Sequence, residues 1–343
     1  MKRALIIQPG AVGDTLLTLP LINYILDQNI VGQVDVMGHL DRLAYLLDRA
    51  RIERVMAIED VPLHKLFVPH IDFSIGEKDE LVWLLSDYDL VVSFLQDESG
   101  DFEQNLVATV FMRHRADVVT IQLHPGDDYS DHVGRYYIEQ FNAQMPCLDE
   151  ISLDKVLDQT FLTSTKLHVE GAKLFAAQQS VKLPRENVVV LHPGSGALSK
   201  CGPLNGFIEL ADLLIEKAYA PVVITGPAER ELWASEVFGE LDSALGTRSV
   251  PLISDLSLND AANMIITADG YIGHDSGLSH LAAMLGRRTL CMFGRSNATH
   301  WHPLGRKSAI LTPDHVDVAT KHVLYNDVKW PTPQLMVETF EAI

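Results

Sequence analysis

The sequence is poor in cysteine and has no long uninterrupted hydrophobic segment. Its three cysteines, Cys147, Cys201 and Cys291, lie far apart in a chain of 343 residues, and this spacing matches neither a disulfide framework nor a zinc site. The first apolar run is broken by Gln8 and Pro9 before it could form the core of a signal peptide. No later run has the roughly 20 apolar residues that cross a bilayer. These absences predict a protein of the reducing cytoplasm.

Basic residues are also scarce. The chain has 27 Lys and Arg against 46 Asp and Glu, for a net charge of −19. The imbalance is concentrated in residues 1–165, which carry 27 acidic and 12 basic side chains, whereas residues 166–343 carry 19 and 15. Because proteins bind nucleic acid by neutralising its phosphates with Lys and Arg, we predict that nucleic acid is not a partner.

Short β-branched segments alternate with amphipathic segments along the whole chain. This alternation is typical of βαβ units and a mostly parallel sheet. The predicted strands of the first half are 4–7, 34–37, 55–58, 90–94 and 118–121. Those of the second half are 188–191, 222–225, 271–273, 289–293 and 309–311. The sequence therefore predicts two doubly wound α/β domains, which also suits the chain length.

We place the domains at 1–165 and 166–343, with a connection near 160–186. The segment from residue 165 is predicted to form one helix that Pro184 ends, and a buried strand follows it. Residues 332–343 are predicted to form a last helix. Two such domains facing each other would leave a cleft, and open α/β sheets bind ligands beyond the carboxyl ends of their strands. The loops that follow strands are therefore the candidate sites.

The first of these loops is "QPGAVGDTLLTLP", after the first strand. Gly10 and Gly13 allow backbone conformations closed to other residues, and Asp14 directly precedes the predicted helix. The simplest interpretation is that Asp14 is the N-cap of that helix. A dinucleotide-binding turn is weakly indicated, because the G-x-G-x-x-G spacing is absent.

The second loop is "LHPGSGALSKCGPL". The backbone N–H groups of Gly194, Ser195 and Gly196 could form a nest for an anion, and Lys200 could add a positive charge. The loop lacks the Lys-Ser/Thr ending of a P-loop NTPase. The alternative is an ordinary glycine-rich turn with a solvated lysine.

The third loop, "TGPAERELW", offers Glu229 or Glu231 for contact with a ribose diol. Because acids are favoured in the first turn of any helix, we prefer a structural role for these two glutamates.

The fourth loop is "HDSGLSH", residues 274–280, at the start of an apolar helix. The unpaired N–H groups of Ser276, Gly277 and Leu278 at a helix N-terminus could bind a phosphate, and the hydroxyls of Ser276 and Ser279 could donate to it. The alternative is a capped core helix with no ligand.

Two other residues of this loop have less obvious roles. Asp275 would repel a phosphate if it pointed inward, so we expect it to fix the loop or to contact another part of the ligand. His280 lies on the first turn of the helix and could face either the core or the ligand.

Taken in order, these motifs resemble the heptosyltransferase group, glycosyltransferase family nine. The resemblance covers nearly the whole chain through "GAVGDTLLTLP", "LHPGSG…K…P", "GPAERE" and "DSGLSHLAAMLG…FG", with a weaker match at "DHVGRYY", residues 131–137. Members of that family adopt the GT-B architecture of two facing Rossmann-like domains. The resemblance therefore implies an acceptor-binding first domain and a donor-binding second domain.

The resemblance also implies roles for single residues. Asp14, beside Gly13 in the acceptor domain, corresponds to the catalytic base, and Lys200 to the positive charge on the leaving diphosphate. His280 corresponds to the histidine that closes the phosphate-binding turn, and Glu229 to a ribose contact. The remaining donor-binding positions are Gly194, Ser195, Asp275, Ser276, Gly277 and Leu278.

The implied activity is an inverting, metal-independent sugar transfer. The expected donor is ADP-heptose and the expected acceptor is a lipopolysaccharide core or related cell-surface glycan, with no cofactor beyond the nucleotide-sugar. No D-x-D pair stands in a loop where it would hold a metal. Such an enzyme would be cytoplasmic, and peripheral contact with the inner membrane would bring it to a glycolipid acceptor. The segment "HKLFVPHIDF", residues 64–73, is interpreted as core, with membrane approach as the alternative.

The chain departs from the family pattern in two ways. The family commonly has an aromatic residue before the proline that follows the lysine, whereas this chain has Gly202 before Pro203. This difference predicts a differently shaped donor site. The acidic first half points to a neutral or otherwise different acceptor, unless local clusters such as Arg113 and Arg115 serve an anionic one. A nucleotide-sugar epimerase of the same architecture and a non-catalytic nucleotide-binding protein are the two alternatives.

Overall fold

The computed structural model describes residues 1–126, 128–145, 152–178, 186–313 and 330–343. The chain divides into two compact units, Met1–Leu157 and Asp158–Ile343. The division therefore falls a few residues before the 165/166 boundary expected from the sequence. The helix expected from residue 165 begins at Lys166 within the second unit. Its expected end at Pro184 lies outside the described residues, as does Cys147.

The first unit contains a five-stranded parallel sheet in the order β3-β2-β1-β4-β5. Apolar residues fill the central strands on both faces, as expected for a parallel sheet that helices cover on both sides. The strands are β1 (Arg3–Ile7), β2 (Gln33–Gly38), β3 (Arg54–Ala57), β4 (Leu90–Ser93) and β5 (Asp117–Thr120).

Seven helices of the described residues pack around this sheet. They are α1 (Val12–Leu17), α2 (Leu19–Asp27), α3 (Leu40–Leu43), α4 (Glu80–Leu85), α5 (Asp101–Phe111), α6 (Val133–Gln144) and α7 (Leu153–Leu157). Short 3₁₀ turns occupy Ala44–Leu46, Ile58–Asp60, Leu63–Leu66 and His70–Asp72. The amphipathic segment 39–50 thus forms a short α-helix followed by a 3₁₀ turn.

Two glutamine side chains of α6 cover the outer edge of β5. The Gln144 amide accepts a hydrogen bond from Thr120 N (3.1 Å) and donates one to Thr120 O (2.7 Å). The Gln140 amide pairs in the same way with Gln122 N (2.8 Å) and Gln122 O (3.2 Å). These amides satisfy backbone groups that a further strand would otherwise pair.

The second unit contains a six-stranded parallel sheet in the order β11-β10-β9-β6-β7-β8. Its strands are β6 (Val188–His192), β7 (Ala220–Ile224), β8 (Leu252–Ile253), β9 (Gly270–His274), β10 (Arg288–Met292) and β11 (Ser308–Leu311). The ten predicted strands are confirmed, with ends within two residues of those predicted. The two-residue strand β8 was not predicted.

Eight helices of the described residues complete this unit. They are α8 (Lys166–Gln178), α9 (Leu204–Glu216), α10 (Pro227–Leu232), α11 (Ser235–Thr247), α12 (Leu258–Thr267), α13 (Gly277–Met284), α14 (Ala298–Trp301) and α15 (Pro333–Ala342). The amphipathic segment 228–241 is divided between α10 and α11. No helix among the described residues is long and apolar enough to cross a membrane.

Candidate active site

The strand orders place the candidate loops at one edge of each sheet. In the second unit β6 lies between β7 and β9, so the chain leaves β6 and β9 side by side, with His192 paired to Gly273. This is the point where the strand order reverses, at which open α/β sheets bind their ligands. In the first unit the corresponding point lies between β1 and β4.

Helix α13 begins at this point with an uncapped N-terminus. Its N-cap, Ser276, has an extended backbone, and its side chain accepts no hydrogen bond from the helix. The first-turn N–H groups of Gly277 and Leu278 have no acceptor within the helix by its geometry, and all three residues are partly exposed. The positive end of the helix dipole and these donors form a site suited to an anion.

Asp275 lies directly before this N-terminus and is 4% exposed. Its carboxylate accepts hydrogen bonds from Lys200 Nζ (2.8 Å) and from Ser296 Oγ, and its carbonyl accepts one from Ser195 Oγ (2.6 Å). Asp275 therefore fixes the loop, which is one of the two roles considered from the sequence. The Ser195 hydroxyl proton is engaged within the protein, which leaves its backbone N–H for a ligand.

Lys200 stands on a 3₁₀ turn, Leu198–Lys200, after β6. Its side chain is 39% exposed, and an ammonium group has three protons. Because Asp275 takes one of them, the ammonium can still donate to a second anionic group. Asp275 thus holds the lysine in place without consuming all its donors.

His280 faces the protein interior. Its Nε2 lies 3.9 Å from Asp275 Oδ1, and burial lowers its pKa to about 4 even though the Asp275 charge acts in the opposite direction. His280 is therefore uncharged at neutral pH. Ser279 is also buried, and its hydroxyl donates to His274 O (2.5 Å). The prediction that the Ser279 hydroxyl would serve a ligand is wrong, because the backbone of β9 takes that proton.

Glu229 is buried against the loop after β6. Its Oε2 accepts from Gly226 N (2.7 Å), and its Oε1 lies 3.3 Å from His192 Nε2. Burial alone would raise the pKa of Glu229, but the His192 hydrogen bond and charge, with the Gly226 N–H, bring it below its usual value. A methyl group at Gly194 would lie 1.8 Å from Glu229 Oε1. Only glycine therefore lets this loop approach the carboxylate.

The sequence did not predict a role for three residues of this site. They are His192 at the end of β6, His274 at the end of β9, and Ser296. His274 Nδ1 lies 3.1 Å from Pro193 O, and its Nε2 accepts from Gly202 N (2.8 Å). Burial, followed by the charge of His192, lowers the pKa of His274 to about 3, so it is a neutral ring that joins two loops. Ser276 Oγ lies 3.4 Å from His192 Nδ1. The two histidines could have been identified from the sequence, because each is a polar residue at the end of an apolar strand.

In the first unit, Asp14 is the third residue of α1, and Ala11 is the N-cap. The prediction that Asp14 is the N-cap is therefore wrong. Its carboxylate instead reaches back to accept a hydrogen bond from Ala11 N (2.9 Å), while Gly13 precedes it in the helix. Asp14 is partly exposed. A methyl group at Gly10 would lie 2.7 Å from Asp14 Cβ, so that glycine makes room for the aspartate.

Tyr137, from the weaker motif at 131–137, belongs to the surroundings of Asp14. Its hydroxyl donates to Leu123 O (2.9 Å). Burial, and then the negative charge of Asp14, raise the pKa of Tyr137 well above its usual value. The phenol therefore stays protonated beside the carboxylate.

The structure thus brings the predicted donor-binding residues together in the second unit and places Gly13 and Asp14 in the first. Among the described residues, no group of three or more His, Cys, Asp or Glu side chains is arranged to hold a metal ion.

Comparisons with known proteins show which proteins the chain is similar to. Residues 153–323 match the sequence model of glycosyltransferase family 9 (heptosyltransferase). Lipooligosaccharide heptosyltransferase 2 of Haemophilus influenzae is 28% identical over 186 residues, 54% of this chain and 52% of that protein. The chain thus spans about half the length of that relative. Its counterpart in Haemophilus ducreyi is 24% identical over 319 residues, 90% of this chain and 88% of that protein.

The fold is similar to that of a solved heptosyltransferase. The structure of Escherichia coli ADP-heptose lps heptosyltransferase II superimposes with a TM-score of 0.71 at 19% identity, covering 100% of this chain and 98% of that one. The two parallel-sheet α/β domains are therefore those of the GT-B architecture. With the family match and the curated relatives, they show that this chain is similar to the heptosyltransferases of glycosyltransferase family 9.

Proposed function

We propose that the protein transfers heptose from ADP-heptose to a hydroxyl group of a lipopolysaccharide core or related surface glycan, with inversion at the anomeric carbon and without a metal ion. The observation that carries this proposal is the uncapped N-terminus of α13 beside the Lys200–Asp275 pair. A helix N-terminus and a lysine together suit the diphosphate of a nucleotide-sugar. The named activities of the Haemophilus and Escherichia coli proteins supply the sugar and the nucleotide.

The second unit would bind the donor and stabilise the leaving group. As the bond from the anomeric carbon to the diphosphate breaks, negative charge grows on the phosphate oxygens. Lys200 and the N–H groups of Gly277 and Leu278 would donate hydrogen bonds to these oxygens, and preorganised donors of this kind stabilise developing charge. ADP would leave with both bonding electrons.

The first unit would supply the base. The Asp14 carboxylate would take the proton of the acceptor hydroxyl while its oxygen attacks the anomeric carbon from the face opposite the diphosphate. The hydrogen bond from Ala11 N orients the carboxylate, and its partial exposure leaves it accessible. Inversion follows from a single displacement.

Because Lys200 and the helix N-terminus would neutralise the diphosphate, we propose that no metal ion or further cofactor takes part. Transfer should therefore continue at an unchanged rate in excess EDTA. A loss of transfer that added Mg²⁺ restores would contradict this part of the proposal.

The proposal is tested by calorimetric titration with ADP, UDP and GDP, followed by a transfer assay with ADP-heptose. We expect ADP to bind most tightly and labelled heptose to appear on a deacylated core oligosaccharide. Preference for UDP or GDP would exclude ADP-heptose as the donor. Isomerisation of the donor without acceptor, followed by NMR, would favour an epimerase, whereas nucleotide binding without turnover would favour a non-catalytic protein.

We further propose that the protein works in the cytoplasm with its first unit against the inner membrane. Segment 64–73, interpreted from the sequence as core, is only partly so, because Phe67, Val68 and Ile71 are exposed, Ile71 at 93%. Sedimentation with vesicles of inner-membrane lipid should be weaker for Ile71→Ser. Equal sedimentation of the two proteins would exclude this contact.

A further inference from the structure

The indole of Trp330 occupies the space beside Gly202. A methyl group at Gly202 would lie 2.8 Å from Cδ2 and 3.0 Å from Cε3 of Trp330. Trp330 precedes the last helix, α15, and is half-buried against the core of the second unit. The space beside Gly202 is therefore filled by an aromatic ring that comes from a distant part of the chain.

The same ring contacts a second loop of the donor site. A methyl group at Gly294 would lie 3.1 Å from Cη2 and 3.3 Å from Cζ2 of Trp330. The six-membered ring of the indole thus lies between the backbones of Gly202 and Gly294. Each glycine is two residues from a side chain that binds the Asp275 carboxylate, namely Lys200 and Ser296.

A third contact joins Trp330 to the buried histidine of β9. The rings of Trp330 and His274 meet edge to face with centroids 5.1 Å apart, and Phe207 packs on His274 at 5.1 Å. His274 in turn accepts the hydrogen bond from Gly202 N (2.8 Å). The indole therefore supports the loop of Lys200 both directly and through His274.

We infer that Trp330 is a positioning residue of the donor site, whose ring fills the space beside Gly202 and holds the loops of Lys200 and Ser296 around Asp275. The inference rests on the proposed donor site. Without the indole, two glycine-containing loops would border an unfilled space, and glycine restrains the backbone least of all residues. Lys200 would then spend less time in the position that meets a diphosphate.

The test moves the aromatic side chain from position 330 to position 202. Calorimetric titration with ADP and thermal unfolding would be measured for Trp330→Ala, Trp330→Phe, Gly202→Trp and the double variant Gly202→Trp/Trp330→Ala. We expect the dissociation constant for ADP to rise about tenfold in Trp330→Ala, comparable to losing one hydrogen bond to a charged group. Trp330→Phe should stay within about threefold of wild type, because a planar ring remains.

Gly202→Trp alone should also weaken ADP binding, because two aromatic rings cannot share the space. The double variant should bind ADP better than either single variant, since the ring then comes from position 202. Tyr219→Ala is the matched control, because Tyr219 is also half-buried against the same core but contacts Phe340. It should lower the unfolding temperature without changing ADP affinity.

The outcomes separate this inference from the proposed function. Wild-type protein that does not bind ADP would overturn both. Wild-type protein that binds ADP, with unchanged affinity in Trp330→Ala, would overturn the inference alone. The inference would also be overturned if Trp330→Ala weakened ADP binding and the double variant bound ADP no better. In that case, filling the space beside Gly202 would not explain the effect of the ring.

Discussion

Asp14 in the first unit and Asp275 in the second both follow a strand and stand at the start of a helix, yet their surroundings differ. Asp14 is partly exposed and accepts a hydrogen bond from the backbone N–H of Ala11. Asp275 is buried and binds Lys200 and Ser296. A carboxylate that is accessible can take a proton from a substrate, whereas one that is buried and paired organises its neighbours. Position along the fold therefore does not by itself assign a role to an aspartate.

The largest effect should come from Asp14→Asn. Because the amide cannot accept the proton of the acceptor hydroxyl, we expect kcat for heptose transfer to fall by about 10²- to 10⁴-fold. ADP affinity and the unfolding temperature should stay near those of wild type. Asp260→Asn is the control, since Asp260 is likewise the third residue of its helix and lies near the helix cap. Transfer by Asp14→Asn at the wild-type rate would remove Asp14 as the base.

At the Lys200–Asp275 pair, substitutions should instead change ADP affinity and stability. Lys200→Met should raise the dissociation constant for ADP about ten- to hundredfold, because a charged donor is lost. Asp275→Asn should lower the free energy of unfolding by about 1–3 kcal/mol, because a neutral amide oxygen is a weaker acceptor for Lys200 and Ser296 than the carboxylate. Calorimetry and urea unfolding measure the two effects. For each quantity, the change in the double variant should be smaller than the sum of the changes in the two single variants. Strictly additive changes would contradict a direct interaction between Lys200 and Asp275.

The two units should also differ in their response to acid. In the second unit, burial lowers the pKa of His274 to about 3 and that of His280 to about 4. The unfolded chain therefore binds these protons more readily, and the free energy of unfolding should fall as the pH drops below about 6.5. Each histidine contributes at most about 1.4 kcal/mol per pH unit. Urea unfolding at pH 7, 6 and 5 should show this slope, and His280→Gln should reduce it.

In the first unit the shifts that affect stability in acid are those of carboxylates. Hydrogen bonds lower the pKa of Asp79 through Lys65 and that of Asp101 through Ser99. A depressed carboxyl pKa contributes stability that is present above about pH 4 and is lost as the pH falls below it. Asp79→Asn should therefore leave the change in the free energy of unfolding between pH 7 and 5 the same as in wild type. A reduced slope in that variant would remove this contrast between the units.

The smallest effects should come from two glycines, one in each unit. Gly10→Ala crowds Asp14, and we expect it to lower kcat about three- to tenfold with little change in ADP affinity. Gly194→Ala crowds Glu229, and we expect it to raise the dissociation constant for ADP by a similar factor with little change in kcat. Steady-state kinetics and calorimetry distinguish the two. Identical profiles for both variants would contradict the division of roles between the units.

The strands could be predicted from the sequence, because buried parallel strands are short apolar runs and each has a local signature. The Lys200 loop and the α13 N-terminus were predicted for the same reason, since both directly follow such strands. The helix start at Val12 was not, because its N-cap is Ala11, a residue with little preference for that position. The place of Trp330 beside Gly202 depends on tertiary packing, which no local pattern records.

The glutamines of α6 have a consequence for how the molecule meets others of its kind. Four residues of a helix rise about 6.0 Å, and two residues of a strand advance about 6.6 Å. Gln140 and Gln144 therefore match the repeat of Gln122 and Thr120 closely enough for each amide to bind one backbone N–H and one carbonyl. An exposed strand edge is a template for aggregation. At these two residues the helix imitates a missing neighbour strand, so no strand from another molecule can pair there.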